Sequence, residues 1–384
     1  MSGRLRLRAA HVVTPGAVLH DAVVEVEGSR LTRCAAYDPV GDLGAEPVAG
    51  WVVPGFVDTH VHGGGGADYA TEDPEEALVA RAFHAQHGTT TSFASLVTAP
   101  LDLLCRQVSV LAGLVEDGYF AGIHLEGPFL SPDRRGAHDP MWLREPDVAS
   151  VDRLVSAGRG TLAMVTLAPE LPGATEALAA FLAAGVLVAL GHTDADHDTV
   201  AAALDAGATV ATHLFNAMPA IHHRRPGPIP LLLDDARVSV ELIADGVHLH
   251  PEVLRMAATT SGPDRTVLVT DAMTAAGMDD GEYTLGRLRV TVTGGTARLV
   301  GPDGRPGSIA GSTLTMAAAF RRMTGLLGGV ARVAALASTN AARGFGLDDV
   351  GAIEPGRRAD LCVVDDGGGL LRVMQDGRWL DGTP

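Results

Sequence analysis

Eight short apolar runs, rich in β-branched residues and separated by stretches with helical spacing, dominate the middle of this chain. They are GFVDTHVH (55–62), TTTSFASLV (89–97), FAGIHLEG (120–127), TLAMVTLAP (161–169), GVLVALGHT (185–193), ATVATHLF (208–215), VSVELIADGVH (238–248) and TVLVTDAM (266–273). Strands that are apolar on both faces belong to parallel sheets covered by helices. Intervening stretches such as PEEALVARAFHAQHG and ATEALAAFLAAG have the period to be those helices. The alternation predicts an α/β fold, a (β/α)8 TIM-type barrel.

The two chain ends have another texture. RLRLRAAHVV, AVVEVEG and RLTRCAAY near the start, and ADLCVVDDGGGLLRVMQDGRWL near the end, read as short strands broken by Gly, Pro and Asp. They are expected to pair outside the barrel as a small β-sandwich domain of residues 1–52 plus 347–384, leaving 53–346 for the barrel. EYTLGRLRVTVTGGTARLV (282–300) reads as a hairpin inserted after the eighth strand.

In such barrels the active site is built where the strands end. His60 and His62 alternate onto one side of the first strand, roughly 6–7 Å apart along the chain. Neutral imidazole is the commonest metal ligand, although a lone H-x-H is as readily two polar residues at a strand end. Glu126 closes the third strand, His192 the fifth, His213 the sixth and Asp271 the eighth. Five strand ends carrying nitrogen and oxygen ligand types point to a metal site. Glu126, His192 and His213 make three ligands with room for water, the pattern of an open catalytic centre. His60 and His62 are placed to hold a second ion, with Glu126 bridging, and Asp271 stands where a general base is needed. The glycines at 63–66 leave space beside the pair.

The other histidines have plainer readings. His84, His87, His197, His222 and His223 are expected to be solvated, His11 and His20 belong to the small domain, and His124 is packed or accessory. His250 follows a better candidate, His248.

Composition limits the remaining possibilities. The formal net charge of −17 argues against nucleic-acid and anionic-membrane partners, so an anionic substrate needs a local basic site. All 29 basic residues are arginine, which excludes a carbamylated lysine bridge and a lysine Schiff base. Cys34, Cys105 and Cys362 have neither disulfide nor thiolate-metal spacing. No run approaches the roughly 18 apolar residues of a membrane helix, and MSGRLRLRAAHVV has no signal-peptide core, so a cytoplasmic protein is expected.

GFVDTHVHGGGG, HLEGPFLSPDRRGAHDP, LGHTDA, THLFNAMPAIHHRRPG, IADGVHLHPEVL, LVTDAM and IAGSTLTM together resemble the N-acetylglucosamine-6-phosphate deacetylases of the amidohydrolase superfamily, over nearly the whole chain. H-x-H is common among amidohydrolases, whereas H-L-E-G-P-F and H-L-F-N-A-M are far more specific. The resemblance implies hydrolysis of N-acetyl-D-glucosamine 6-phosphate to D-glucosamine 6-phosphate and acetate, in amino-sugar catabolism and cell-wall sugar recycling. It implies Glu126, His192 and His213 as principal ligands of a divalent ion (Zn, Fe, Mn or Co, one or two per subunit) and Asp271 as catalytic acid/base. Some members lack the H-x-H pair and use one ion; this chain keeps His60 and His62. His138 matches the histidine that contacts the acetyl carbonyl, and Ala137, Asn216, Ala217 and the backbone around Ile309, Ala310 and Gly311 match substrate contacts. Arg224 and His248 match the pair that binds the sugar phosphate, although HHRRPG offers both Arg224 and Arg225 where the family often has one arginine. A homodimer is implied as well. The galacto-configured phosphate, a different amide substrate on the same barrel, and a catalytically silent sugar-phosphate sensor are the alternatives.

Overall fold

In a computed structural model of this protein, residues 4–301 and 303–381 are described. Eight strands form one sheet in sequence order: Phe56–Asp58, Thr89–Val97, Gly122–Glu126, Leu162–Leu167, Leu187–Leu190, Val210–Ala211, Ser239–Ile243 and Thr266–Val269. The registers from the second strand to the fifth and on to the eighth are parallel. Parallel neighbours need long crossovers, and helices such as Leu101–Glu116, Val148–Gly158 and Ala174–Ala183 supply them. Just past the strand ends, the Asp271 N–H donates to the His60 carbonyl and the His62 N–H to the Ala272 carbonyl, both at 2.8 Å. These bonds join the first segment to the eighth, so the sheet is a (β/α)8 barrel. Most residues of these strands are buried, as expected where both faces are covered.

Side-chain caps fix where several crossover helices begin. Asp147 accepts from the Ser150 N–H at 2.8 Å, Asp196 from the Thr199 N–H at 2.9 Å and His250 from the Glu252 N–H at 3.2 Å. In the helix Pro74–Gln86 one departure from expectation appears. His84 is buried, not solvated, because Ala77, Ala80 and His84 recur on one apolar helical face.

The chain divides into two compact units, one of residues 1–58, 82–91 and 315–384, the other of 59–81 and 92–314. The first carries a seven-stranded sheet that is the small β-domain. Its spatial order is Arg378–Trp379, Leu370–Gln375, Leu361–Val364, Glu46–Pro54, Arg4–Thr14, Ala17–Glu27, Arg30–Ala36. The C-terminal strand Leu361–Val364 pairs antiparallel with Glu46–Pro54, which is how the two chain ends meet in one sheet. Leu7, Val12, Val24, Val52, Leu361 and Val363 form part of its core.

The second unit holds the site. After the eighth barrel strand comes a four-stranded antiparallel sheet: Gly281–Leu285, Leu288–Thr293, Thr296–Val300 and Pro306–Ile309. It is larger than the hairpin expected from 282–300. A lone hairpin is marginal in water, and with two further strands Val290, Val292, Ala297 and Ala310 join Val97, Met273 and Ala275 in a small core. No helix among the described residues is long and apolar enough to cross a membrane.

Candidate active site

Six side chains from five strand ends converge as two overlapping donor clusters: His60, His62, Glu126 and Asp271, and Glu126, His192 and His213. All are buried. Glu126 Oε1 lies 3.1 Å from His192 Nε2 and 2.9 Å from His213 Nε2, and the two nitrogens are 3.0 Å apart. On the other side, Glu126 Oε2 lies 3.2 Å from His62 Nε2, and His60 Nε2 and His62 Nε2 are 3.1 Å apart. Asp271 Oδ1 stands 3.2 Å from His62 Nε2 and 3.5 Å from His60 Nε2. Glu126 is therefore common to both clusters, and its Oε1 also lies 3.5 Å from His60 Nε2.

The chemistry of these donors fits a divalent cation. Metal–ligand bonds of about 2.0–2.1 Å place neighbouring ligand atoms roughly 2.9–3.4 Å apart, close to the 2.9–3.5 Å separations here. More telling is where three of the four rings carry their hydrogen. His192 Nδ1 faces the Arg134 carbonyl at 2.8 Å, His62 Nδ1 the Ser95 carbonyl at 3.2 Å, and His60 Nδ1 the Glu241 carboxylate at 3.2 Å. Each acceptor takes the hydrogen of Nδ1, so in the neutral rings of His60, His62 and His192 the facing Nε2 atoms are bare lone pairs. Bare nitrogens 3 Å apart repel unless a cation lies between them.

The local field points the same way. Burial opposes charge on His60 and His62, yet Glu126 and Asp271 raise the first well above its ordinary range and the second to about 9. Burial would raise the carboxyls of Glu126 and Asp271, but His60 and its neighbours hold both below the usual carboxylate range. Positive charge is favoured here.

Backbone strain is concentrated at the same place. Among the described residues, His192, His213, Phe215, Ala217 and Asp271 are non-glycine positions with φ between 27° and 80°. Such conformations cost energy and persist where surrounding structure holds them. The Gly311 backbone runs so close that a Cβ there would sit 2.9 Å from the Asp271 carbonyl oxygen, with φ +60° besides.

A cavity of about 320 Å³ opens onto the clusters. His62, Glu126, His192, His213 and Asp271 line it, together with Ala137, His138, Asn216, Ala217, His248, Ile309 and Gly311. His138 accepts from the Thr98 N–H through Nδ1 at 3.3 Å, which leaves hydrogen on Nε2, 3.3 Å from Glu126 Oε2. Burial pushes its imidazole down to about 4, so it is a neutral donor. His248 is gripped by Asp245, whose carboxylate takes its Nδ1–H at 2.6 Å and its backbone N–H at 2.8 Å. Asn216 is tied to its own turn by Nδ2–H to the His213 carbonyl at 3.0 Å.

Two expected residues do not line this cavity. The Ala310 methyl is buried in the core of the four-stranded sheet, while Ile309 and Gly311 on either side of it line the cavity. Arg224 lines a second, open cavity with Arg225, His222 and Arg134, the last of which also lines the site cavity, and its guanidinium reaches His223 at 2.8 Å.

Sequence reasoning missed Glu241, fully buried on the seventh strand, although a lone acid inside the run VSVELI was a visible signal. It also missed the backbone carbonyls of Arg134 and Ser95, which no residue type announces. His124, expected as packed, joins a buried polar belt. Ser95 Oγ contacts its Nδ1 at 3.0 Å, Thr166 Oγ1 its Nε2 at 2.9 Å, and Thr212 Oγ1 continues from Thr166 at 2.8 Å.

Comparison with known proteins adds an independent line. The chain matches the Amidohydrolase family over residues 51–380. A solved mutant of N-acetyl-D-glucosamine-6-phosphate deacetylase from Mycobacterium smegmatis, in complex with N-acetyl-D-glucosamine-6-phosphate, superposes with a TM-score of 0.94 at 44% identity, covering 98% of this chain and 99% of that one. The N-acetylgalactosamine-6-phosphate deacetylase of Escherichia coli O157:H7 is 37% identical over 383 residues, 98% of each chain. The N-acetylglucosamine-6-phosphate deacetylase of Vibrio furnissii is 34% identical over 383 residues, 96% of this chain and 94% of its own.

Proposed function

This chain belongs to the Amidohydrolase family, and from that premise we propose that it hydrolyses N-acetyl-D-glucosamine 6-phosphate to D-glucosamine 6-phosphate and acetate. The observation that carries the reading is Glu126 shared between two buried donor clusters, with Asp271 3.2 Å from His62 at the wall of the same cavity. The gluco substrate is preferred because the 44%-identical structure holds that sugar phosphate. The galacto isomer is the second reading, favoured by the 37%-identical relative.

In this reading Glu126, His192 and His213 hold one divalent ion, and His60, His62 and Glu126 a second, drawn from zinc, iron, manganese or cobalt. When bound, such ions supply Lewis acidity toward the amide carbonyl and a water-derived nucleophile near neutral pH. Asp271 takes a proton from the attacking water and returns it to the nitrogen as the C–N bond breaks, leaving the free amine and acetate. His138 donates its Nε2–H to the carbonyl oxygen as negative charge develops there. Asn216, Ala217 and the backbone around Ile309 and Gly311 orient the sugar.

His248 anchors the phosphate. Its expected partner Arg224 lines a different cavity, so we assign Arg224 to the site of a second copy in a homodimer, where its planar fork meets phosphate oxygens. The free thiols of Cys34, Cys105 and Cys362 suit a reducing cytoplasm, where amino-sugar catabolism and cell-wall sugar recycling would use the reaction.

An acetate-release assay across N-acetylglucosamine, its 6-phosphate and the galacto 6-phosphate, with metal content measured on the same sample, tests the proposal. Rapid release from the gluco 6-phosphate alone supports it. Equal rates with and without phosphate would point to another amide substrate.

A further inference from the structure

Glu241 is a carboxylate in the middle of an apolar barrel strand, with no exposed surface, and it is paired with the histidine His60. Burying a carboxylate is costly unless several donors meet it. Three do. His60 Nδ1 lies 3.2 Å from Oε2, the Thr59 hydroxyl donates to Oε1 at 3.3 Å, and the backbone N–H of His213 donates to Oε2 at 3.3 Å. Thr59 and His60 stand at the end of the first strand and His213 at the end of the sixth, so one side chain ties together ligands from the two donor clusters.

We propose that Glu241 is a positioning residue for the centre: it locks His60 as the tautomer with hydrogen on Nδ1 and a bare Nε2, and so makes the His60/His62 side of the centre able to hold an ion. The inference deepens the two-ion reading given above and rests on it for the second ion. It differs from a packing role in what it dictates. A neutral His60 ring has one hydrogen. An acceptor fixed at Nδ1 leaves Nε2 no hydrogen with which to bond Glu126 or Asp271, and its lone pair then faces His62 Nε2 at 3.1 Å. An amide at 241 could keep its oxygen where Oε2 stands and turn its NH2 to the Thr59 hydroxyl, which can accept, so only an apolar residue of similar size removes the acceptor. The extra negative charge also helps offset two divalent ions, for which Glu126 and Asp271 provide two charges.

The test compares wild-type protein with E241L and E241D. Imidazole nitrogen NMR on metal-free, ¹⁵N-histidine protein, at a pH high enough to leave His60 neutral, reads its tautomer, and calorimetric titration of zinc into metal-free protein reads both sites. Hydrogen on Nδ1 in the wild type and its loss or exchange in E241L are expected. The weaker zinc site should fall about 10–100-fold in affinity, with the tighter site changed less. E241D keeps the charge one methylene short and should recover part of the loss. It also carries the test should E241L fail to fold. A wild type that takes one ion, but whose His60 tautomer still depends on residue 241, would remove the two-ion reading and leave Glu241 its positioning role. Unchanged tautomer and unchanged zinc affinities in both variants would overturn the proposal.

Discussion

His192 Nδ1 lies 2.8 Å from the carbonyl oxygen of Arg134, so the ring donates away from the site and turns its bare Nε2 toward Glu126 and His213. The Arg134 side chain is itself held by Asp194 at 2.7 Å, and Glu170 steadies that turn through the Thr193 hydroxyl at 2.5 Å. Removing the Asp194 carboxylate (D194A) loosens the segment that aims His192. Ion affinity at the Glu126/His192/His213 cluster should fall by about tenfold, at the low end of outer-shell effects. Competition with a graded chelator reads this directly, and wild-type retention of the ion would remove the Arg134–Asp194 pair from the design.

Asp271 is assigned the proton transfers. D271N preserves shape but cannot accept the proton, so kcat should drop about a hundred- to ten-thousand-fold. The ion at Glu126, His192 and His213 should stay. Single-turnover acetate release with metal analysis separates lost chemistry from lost metal.

Phosphate recognition gives a pH dependence. Burial opposes charge on His248, but its bond to Asp245 raises the imidazole above the ordinary 6.5. The cationic form binds phosphate, so the contribution is fully present on the acid side. It fades as pH climbs through the raised value. KM for the phosphorylated sugar should therefore increase in that alkaline window while kcat changes less. H248Q should have a high KM that is flat over the same range; a wild-type slope surviving in H248Q would mean another group binds the phosphate.

Arg224 and Arg225 differ in the proposed assembly. R224A should raise KM for the phosphorylated substrate by about 10–100-fold, the cost of one charge-assisted contact of roughly 1.5–3 kcal/mol, and R225A much less. Mixing R224A with D271N subunits provides the sharper experiment. Each alone is impaired, but a mixed dimer contains one site with Asp271 and a partner's Arg224. Recovered activity on mixing is expected, and its absence would place Arg224 in its own subunit's site or outside any site.

The buried belt predicts a stability effect. T166V leaves His124 Nε2 and the Thr212 hydroxyl without the partner they meet at 2.9 and 2.8 Å. Leaving buried polar groups unpaired costs about 1–3 kcal/mol. Urea unfolding of the metal-free protein should reveal it with little change in m-value.

The sequence by itself determined the barrel and which side chains face its mouth. A parallel strand buried on both faces must be a continuous apolar run, so each of the eight runs was visible, and Glu126, His192, His213 and Asp271 stood out as polar breaks at their ends. His60 and His62 were legible because alternation along a strand puts them on one side. Tertiary structure decided what depends on meeting across strands. It made Glu126 common to two clusters, set Glu241 against His60 across 181 positions of chain, and turned the carbonyls of Arg134 and Ser95 into acceptors that choose a tautomer. It also placed Arg224 on a cavity apart from His248, built four strands where a hairpin was expected, and buried His84. Local pattern records how a residue faces its own element. Distances between elements follow from closure of the barrel, which no short stretch of sequence contains.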